Sequence, residues 1–254
     1  MTTTVEFIGI RATFYKEAMA EFPKAREEEA ELALQFLNPK SGENILETGA
    51  GGGFFSLSIA DKIYPGKLLA TDPSLEQLES LIQLKKPNIE IAQGGADTLP
   101  LDLPQNSYDA IWSGGSFHHV PNKTAAFQHF YKLLKKGGRL VISDVFAGST
   151  LAKHFDLEVA KYCVTGHEVA FLTEEFADSL CYLMGFQKPQ FIKKTIQWKF
   201  SSKEDLGIFL CKIHAMKKTT PSDCYKRAEA ILGVEHKNGL YCLNWPLTTL
   251  VAKK

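Results

Sequence analysis

Short apolar runs alternate with segments of helical period from residue 44 to residue 144. The runs are "NILET", "KLLAT", "IEIAQ", "YDAIWS" and "RLVISD", and helical patterns over 52–63, 74–86 and 122–135 fall between them. Apolar runs this short, bounded by polar segments, read as strands buried on both faces. Strand–helix alternation of this kind predicts a parallel sheet with helices on both sides. Upstream, Leu32, Leu34, Phe36 and Leu37 lie late in a charged helical segment that Pro23 starts or interrupts, so one or two helices precede the first strand.

Downstream, a helix near Thr173–Met184 leads into "FIKKTIQWKF", which alternates as a strand. Residues 202–217 and 221–232 carry helical patterns, and "GLYCLNWPLTTLVAK" reads as a final strand. Two late strands joined through helices suit an antiparallel edge on a parallel sheet. Pro73 and Ser74 open the second of the central helices, and Gly137–Gly138 close the helix before "RLVISD". No repeat or Pro/Gly-rich linker divides the chain. The expectation is one domain over 1–254, with an N-terminal helical segment over 1–40 and an insertion over 146–172 above the strand ends.

Charge and cysteine content narrow the partners. Lys plus Arg equals Asp plus Glu at 29 each, so no net field draws the chain to nucleic acid or to an anionic membrane. No run approaches the roughly 18 apolar residues of a membrane span. Cys163, Cys181, Cys211, Cys224 and Cys242 show no metal-ligand spacing and read as reduced thiols of a cytoplasmic protein. No metal is expected from these spacings, and a small or neutral partner is.

The chemistry concentrates at "ETGAGGGF". In an α/β sheet a ligand sits beyond the C-terminal strand ends, where glycines let backbone approach it. Phe54 stands where a dinucleotide G-x-G-x-x-G turn needs its last small residue. Glu47, just before the turn, repels phosphate and welcomes a cationic ligand. Asp72 ends the next strand, where a carboxylate can accept from a ribose diol. Glu47 as a helix cap and Asp72 as a cap after Pro73 are the structural alternatives.

In order and spacing, "ILETGAGGG", "LLATDPS", "GGADTLPLDLPQNSYDAIWSGGSFHHV" and "LKKGGRLVISD" resemble the class I S-adenosylmethionine-dependent methyltransferases of the small-molecule, methyltransferase type 11-like branch. The resemblance covers about residues 40–145. It implies a Rossmann-like, doubly wound sheet of seven strands, mostly parallel with an antiparallel last strand, and S-adenosyl-L-methionine as cofactor. By the same resemblance Glu47, Gly49, Ala50, Gly51 and Gly53 lie along the methionine moiety, Asp72 holds the ribose, and Pro73 and Ser74 lie near the adenine. Ser113 and Gly114 match carbonyls that receive the methionine amino group, and His118 and His119 match a common "HH" pair. One position departs from the family: Gly95 stands where an adenine-binding Asp is usual, leaving Asp97 or the backbone at Ala96 to read the base.

The implied reaction is in-line displacement at a methyl carbon, releasing S-adenosylhomocysteine to leave a methylated small molecule. Substrate choice then falls to the strand-end cover. There "FAGSTLAKHFDLEVAKYCVTGHEVAFL" offers His154, Asp156, Tyr162, Cys163, His167 and Glu168, and Arg11 and Tyr15 of the N-terminal segment are candidates to close the same cleft. His118, His154, His167 and Tyr15 are the candidates for moving a proton, and none is assigned as the catalytic group. No N/D-P-P-Y/F or Pro-Cys motif follows the fourth strand, which argues against adenine, glutamine and cytosine as acceptors. Two alternatives stay open: an NAD-dependent oxidoreductase, and a non-catalytic S-adenosylmethionine-binding module.

Overall fold

The computed structural model describes residues 6–100, 102–167 and 169–254. Two helices, α1 (Ile10–Glu21) and α2 (Glu27–Leu37), precede the sheet. Five strands then alternate with three helices: β1 (Ile45–Thr48), α3 (Ser56–Ile63), β2 (Leu68–Asp72), α4 (Leu75–Gln83), β3 (Ile89–Gln93), β4 (Tyr108–Gly114), α5 (Lys123–Leu133) and β5 (Leu134–Asp144). β1 to β5 pair parallel in the order β3-β2-β1-β4-β5. Every residue of β1 and β2 is buried, because helices cover both faces. Those are the strands whose ends carry the glycine turn and Asp72.

β5 is followed by α6 (Thr150–His154), a π-helical turn over Phe155–Val159, α7 (Ala160–Tyr162) and α8 (Glu174–Met184). β6 (Gln190–Phe200), α9 (Lys203–Ile213), α10 (Pro221–Leu232), β7 (Val234–Lys237) and β8 (Leu240–Lys253) complete the chain. β8 inserts antiparallel between β5 and β6, the reversed edge that the sequence predicts. Among the described residues the sheet has eight strands where seven were expected. The extra one, β7, joins β8 through Asn238 and Gly239, both at positive φ, the conformation that a two-residue hairpin needs.

Local signals account for most helix ends. Ser74 Oγ accepts from the Gln77 amide and caps α4, and Thr173 caps α8 in the same way. Gly137 and Gly138 are a correction: α5 ends at Leu133, and the glycine pair lies inside the span of β5, where the register against β4 shifts. The N-terminal segment is tied across the sheet end. The Ser74 hydroxyl donates to the Phe7 carbonyl at 2.5 Å, and the Gly9 amide donates to Glu76 at 2.7 Å. Residues 6–9 therefore bridge to α4 above the ends of β1 and β2.

Candidate functional site

A cavity opens at the C-terminal ends of β1, β2, β4 and β5, walled by the N-terminal segment on one side and by residues after β5 on the other. One end is formed by the turn after β1. Gly49 and Gly51 have φ of 72° and 54°, a left-handed backbone that suits glycine. A Cβ on Gly49 would lie 2.1 Å from Ser116 Oγ, so this turn and the turn after β4 touch only because the side chain is missing. Gly53 does different work: a Cβ there would meet Leu81 Cδ1 at 2.7 Å, so its role is packing of α4 against the turn.

Asp72 is the hinge of this end. Its Oδ2 accepts from the Gly51 amide at 2.9 Å and its Oδ1 from the Ser74 amide at 2.8 Å. A carboxylate has about four lone-pair sites, so roughly two remain for a ligand. Burial pushes its carboxyl above the ordinary value, against the pull of those two amides. Gln77, which the sequence reading passed over, lines the same end with both amide atoms buried and unpartnered. A buried orphan amide is costly unless a ligand pairs with it.

Glu47 sits behind the turn, outside the cavity wall, 1% exposed. Its Oε2 accepts from the Ser56 hydroxyl at 2.5 Å while Oε1 has no partner. Burial, with the charge of Asp72 adding and the Ser56 hydroxyl opposing, raises its carboxyl to about 8.

Ten of the twelve residues expected around a cofactor reach the cavity: Gly49, Ala50, Gly51, Asp72, Pro73, Ala96, Asp97, Ser113, Gly114 and His118. Glu47 and Gly53 do not, for the reasons above. Asp97 accepts from the Asn122 amide at 3.0 Å through Oδ2 and keeps Oδ1 toward Gly95, so the carboxylate stands two residues from the place where the family usually has one.

The other end is aromatic and imidazole-rich. His118 is pinned twice by Asp144, the last residue of β5: its amide donates at 3.0 Å and its ring Nδ1 lies 2.7 Å from Oδ1. Asp144 is buried yet held below the usual carboxylate range, since His118 and two backbone amides outweigh the burial penalty. A carboxylate at that distance fixes Nδ1 as the protonated nitrogen and leaves Nε2 free. His119 and His167 stand beside it, with ring centroids 4.1 Å and 5.7 Å from His118. Burial, reinforced by neighbouring imidazoles, pushes both below the ordinary histidine value, His167 to about 2. They are neutral across the physiological range and are poor bases there.

His154 is a correction to the list of candidate bases. It is fully buried outside the cavity with both ring nitrogens unpartnered, at the start of the π-helical turn. Tyr15 lines the cavity, but its hydroxyl accepts from Arg26 at 3.0 Å. Of the other groups expected after β5, His167 lines the cavity, Asp156 is exposed, Tyr162 is half-buried and Cys163 is buried; none of these last three lines it. Glu168 lies outside the described residues. Phe155, His214, Trp198 and Trp245 complete the wall, with the two tryptophans stacked at 3.7 Å. None of these four is in a recognisable local motif, because they come from the π-helical turn, the end of α9, β6 and β8.

Residues 46–142 match the family profile described as a methyltransferase domain. Phosphoethanolamine N-methyltransferase 3 of Arabidopsis thaliana is 32% identical over 114 residues, 44% of this chain and 23% of the plant protein. The chain thus spans about a quarter of the plant relatives that it matches. Arsenite methyltransferase of Halobacterium salinarum is 26% identical over 196 residues, 71% of this chain and 49% of that protein. Among solved structures, a S-adenosylmethionine-dependent methyltransferase of Thermotoga maritima, described as a possible histamine N-methyltransferase, superposes with a TM-score of 0.63 at 20% identity, covering 95% of each chain. At that identity the superposition establishes the Rossmann-like fold.

Proposed function

We propose that this chain, a class I S-adenosylmethionine-dependent methyltransferase by its matched domain and its fold, transfers a methyl group to a small-molecule acceptor in the cavity above β1, β2, β4 and β5. The observation that carries the reading is the donor end: a glycine cradle, Asp72 with free lone pairs, and buried orphan amide atoms on Gln77 that need a polar ligand. S-adenosylmethionine, when bound, supplies a methyl group on a sulfonium and leaves as S-adenosylhomocysteine. Asp72 would hold its ribose hydroxyls, the turn Gly49–Ala50–Gly51 its methionine part together with the carbonyls of Ser113 and Gly114, and Pro73, Ala96 and Asp97 its base. Glu47 would act through the turn, as a buried countercharge.

The chain's own contribution to rate is then alignment in a dry cavity, worth up to roughly 7–11 kcal/mol for a two-reactant step. We read the whole chain as one unit, since α1, the sheet and residues 146–172 jointly wall the cavity. Residues 146–172 are its cover. No described helix is long and apolar enough to cross a membrane. Five free cysteines suit a reducing compartment such as the cytoplasm, and balanced charge suits a small acceptor over nucleic acid.

Calorimetry tests the reading directly. S-adenosylhomocysteine should bind more tightly than NADH, and labelled S-adenosylmethionine should deliver its methyl to some component of a metabolite extract. Tighter NADH binding would restore the oxidoreductase alternative. Cofactor binding with no product in broad extracts would restore the non-catalytic one.

The Glu47 environment adds a pH signature. Its folded value of about 8 exceeds the ordinary 4.5, so the unliganded protein prefers it protonated. The stability it contributes is full below about 4.5 and is lost as pH rises through about 8. A cationic ligand favours the ionised form, so binding at pH 6–7 releases a proton and affinity rises by up to about tenfold per pH unit. That window lies below the ligand's own α-amino titration, near 7.7–8.0. Titration calorimetry in buffers of different ionisation enthalpy should show the proton, and Glu47→Gln should flatten the slope and raise the melting temperature of the unliganded protein at pH 8. A slope that survives in Glu47→Gln removes Glu47 from this role.

A further inference from the structure

Three imidazoles far apart in sequence converge on the acceptor end of the cavity. His118 and His119 come from the short helical turn after β4, and His167 comes from the segment after α7. One ring nitrogen of each lies within 4.8 Å of those of the other two. We propose that His118, His119 and His167 form a site for one divalent transition-metal ion of the zinc class, with an open coordination position facing the cavity.

The donor set fits that chemistry. Three neutral imidazoles with an open fourth position form a recurrent ligand set of catalytic zinc, and imidazole suits late first-row metals in general. A tetrahedral centre with metal–nitrogen bonds near 2.0–2.1 Å needs its nitrogens about 3.4 Å apart. Metal binding would require His119 and His167 to draw closer to His118, which Asp144 holds in place. His118 already has the outer-shell partner that such ligands carry: Asp144 accepts from Nδ1 and leaves Nε2 for the metal. His119 Nδ1 is buried with no hydrogen-bond partner, although Glu6 Oε2 lies 3.1 Å away, so its ring carries an uncommitted nitrogen. The cations that bear on His119 are Arg11, which pairs with Glu6 at 2.6 Å, and Lys123.

The surroundings favour a shared ligand for the cluster. His118 is buried, His119 and His167 half-buried, and the aromatic rings of Phe155 and Phe171 close around them. Three imidazoles crowded in an apolar wall repel one another when protonated and gain little when neutral unless something uses their lone pairs. A metal would use them. It would also give the acceptor end what its histidines lack as bases, a means to bind a thiol or hydroxyl as its anion. The acceptor's proton would pass to solvent on coordination. Its sulfur or oxygen would then form the bond to the methyl carbon as the carbon–sulfonium bond breaks, with that electron pair staying on the departing sulfur. This last role rests on the methyltransferase reading; the metal site itself does not.

The test uses the full chain, stripped with a chelator, and the metals alone. Titration with Co²⁺ should give visible d–d absorption of a four-coordinate site that saturates at one equivalent per chain, and Zn²⁺ should displace it. His119→Ala and His167→Ala should each abolish the saturable signal. Asp144→Asn should weaken affinity by roughly 10- to 100-fold, as outer-shell partners do. His236→Ala, at an exposed position on β7, should bind as wild type. S-adenosylhomocysteine affinity, measured on every variant, reports whether the donor end is intact. No saturable binding, or binding indifferent to both His119→Ala and His167→Ala with the donor end intact, overturns the site. Metal binding without any methyl transfer would sustain the site and sink the methyltransferase reading alone.

Discussion

Asp72→Ala should weaken S-adenosylhomocysteine binding by roughly 10²- to 10⁴-fold while leaving the unliganded protein as stable as before or slightly more so. The affinity loss follows from two hydrogen bonds between a carboxylate and a ribose diol, each worth roughly 1.5–3 kcal/mol, at about 1.4 kcal/mol per factor of ten. The stability argument is separate. Burial holds the Asp72 carboxyl above its ordinary value, so folding works against its charge even though the Gly51 and Ser74 amides partly compensate. Stability bound up in a group of this kind is present at low pH and lost as pH rises through the folded value. Asp72→Asn should fall between, keeping one acceptor oxygen without the charge. Calorimetry and thermal melts on the same samples check both halves. Affinity within threefold of wild type in Asp72→Ala would remove the residue from the ribose site.

The donor end was the part of the site most legible in the sequence, because its residues follow one another along short loops. Gly49 to Gly51, Asp72–Pro73 and Ala96–Asp97 each directly succeed a strand that the apolar runs mark, and a parallel sheet brings all three loops to one edge. Which way a side chain points within those strands was not legible. β1 is buried on both faces, so alternation carries no sign, and Glu47 turned out to face Ser56 behind the turn. β7 escaped because four residues are too few for periodicity; the Asn238–Gly239 pair was the available signal.

The acceptor end was illegible for a physical reason of another kind. His167 meets His118 and His119 through a chain path that includes α5, β5 and a π-helical turn, and no local spacing encodes that approach. The ligand-spacing rule that gave no metal in the sequence looks along one helix or one loop. Gln77 and Asp144 were missed similarly, since an orphan amide and a pinned imidazole are facts of packing. The donor end is thus built from backbone and two acids on the central strands, whereas the acceptor end combines the turn after β4 with the N-terminal segment and later elements.

The N-terminal segment joins those two ends, and a buried ion pair between Arg26 and Glu29 helps to anchor it. Arg26 Nε and Nη2 reach Glu29 Oε2 and Oε1 at 2.8 and 2.7 Å, and Trp198 Nε1 donates to Oε2 at 3.0 Å. Burial opposes the Arg26 charge, yet Glu29 and the Tyr15 hydroxyl raise its value beyond the ordinary one. The guanidinium also lies 4.5 Å over Phe54, the residue that ends the glycine turn. Glu29→Ala strands that guanidinium and orphans the indole, so it should cost about 3–5 kcal/mol. At about 2–4 °C per kcal/mol for a chain of this size, the melting temperature should fall by roughly 10 °C. The half-exposed pair Lys16–Glu79 is the control, where Glu79→Ala should cost under about 1 kcal/mol. The double change Arg26→Met, Glu29→Leu should recover part of the loss, because the apolar groups need no partner while the Trp198 indole stays unpaired. If Glu29→Ala melts within the range of Glu79→Ala, the pair does not anchor the segment. Recovery in the double variant with weakened S-adenosylhomocysteine binding would instead show that Arg26 serves the cavity by its charge as well as by its packing.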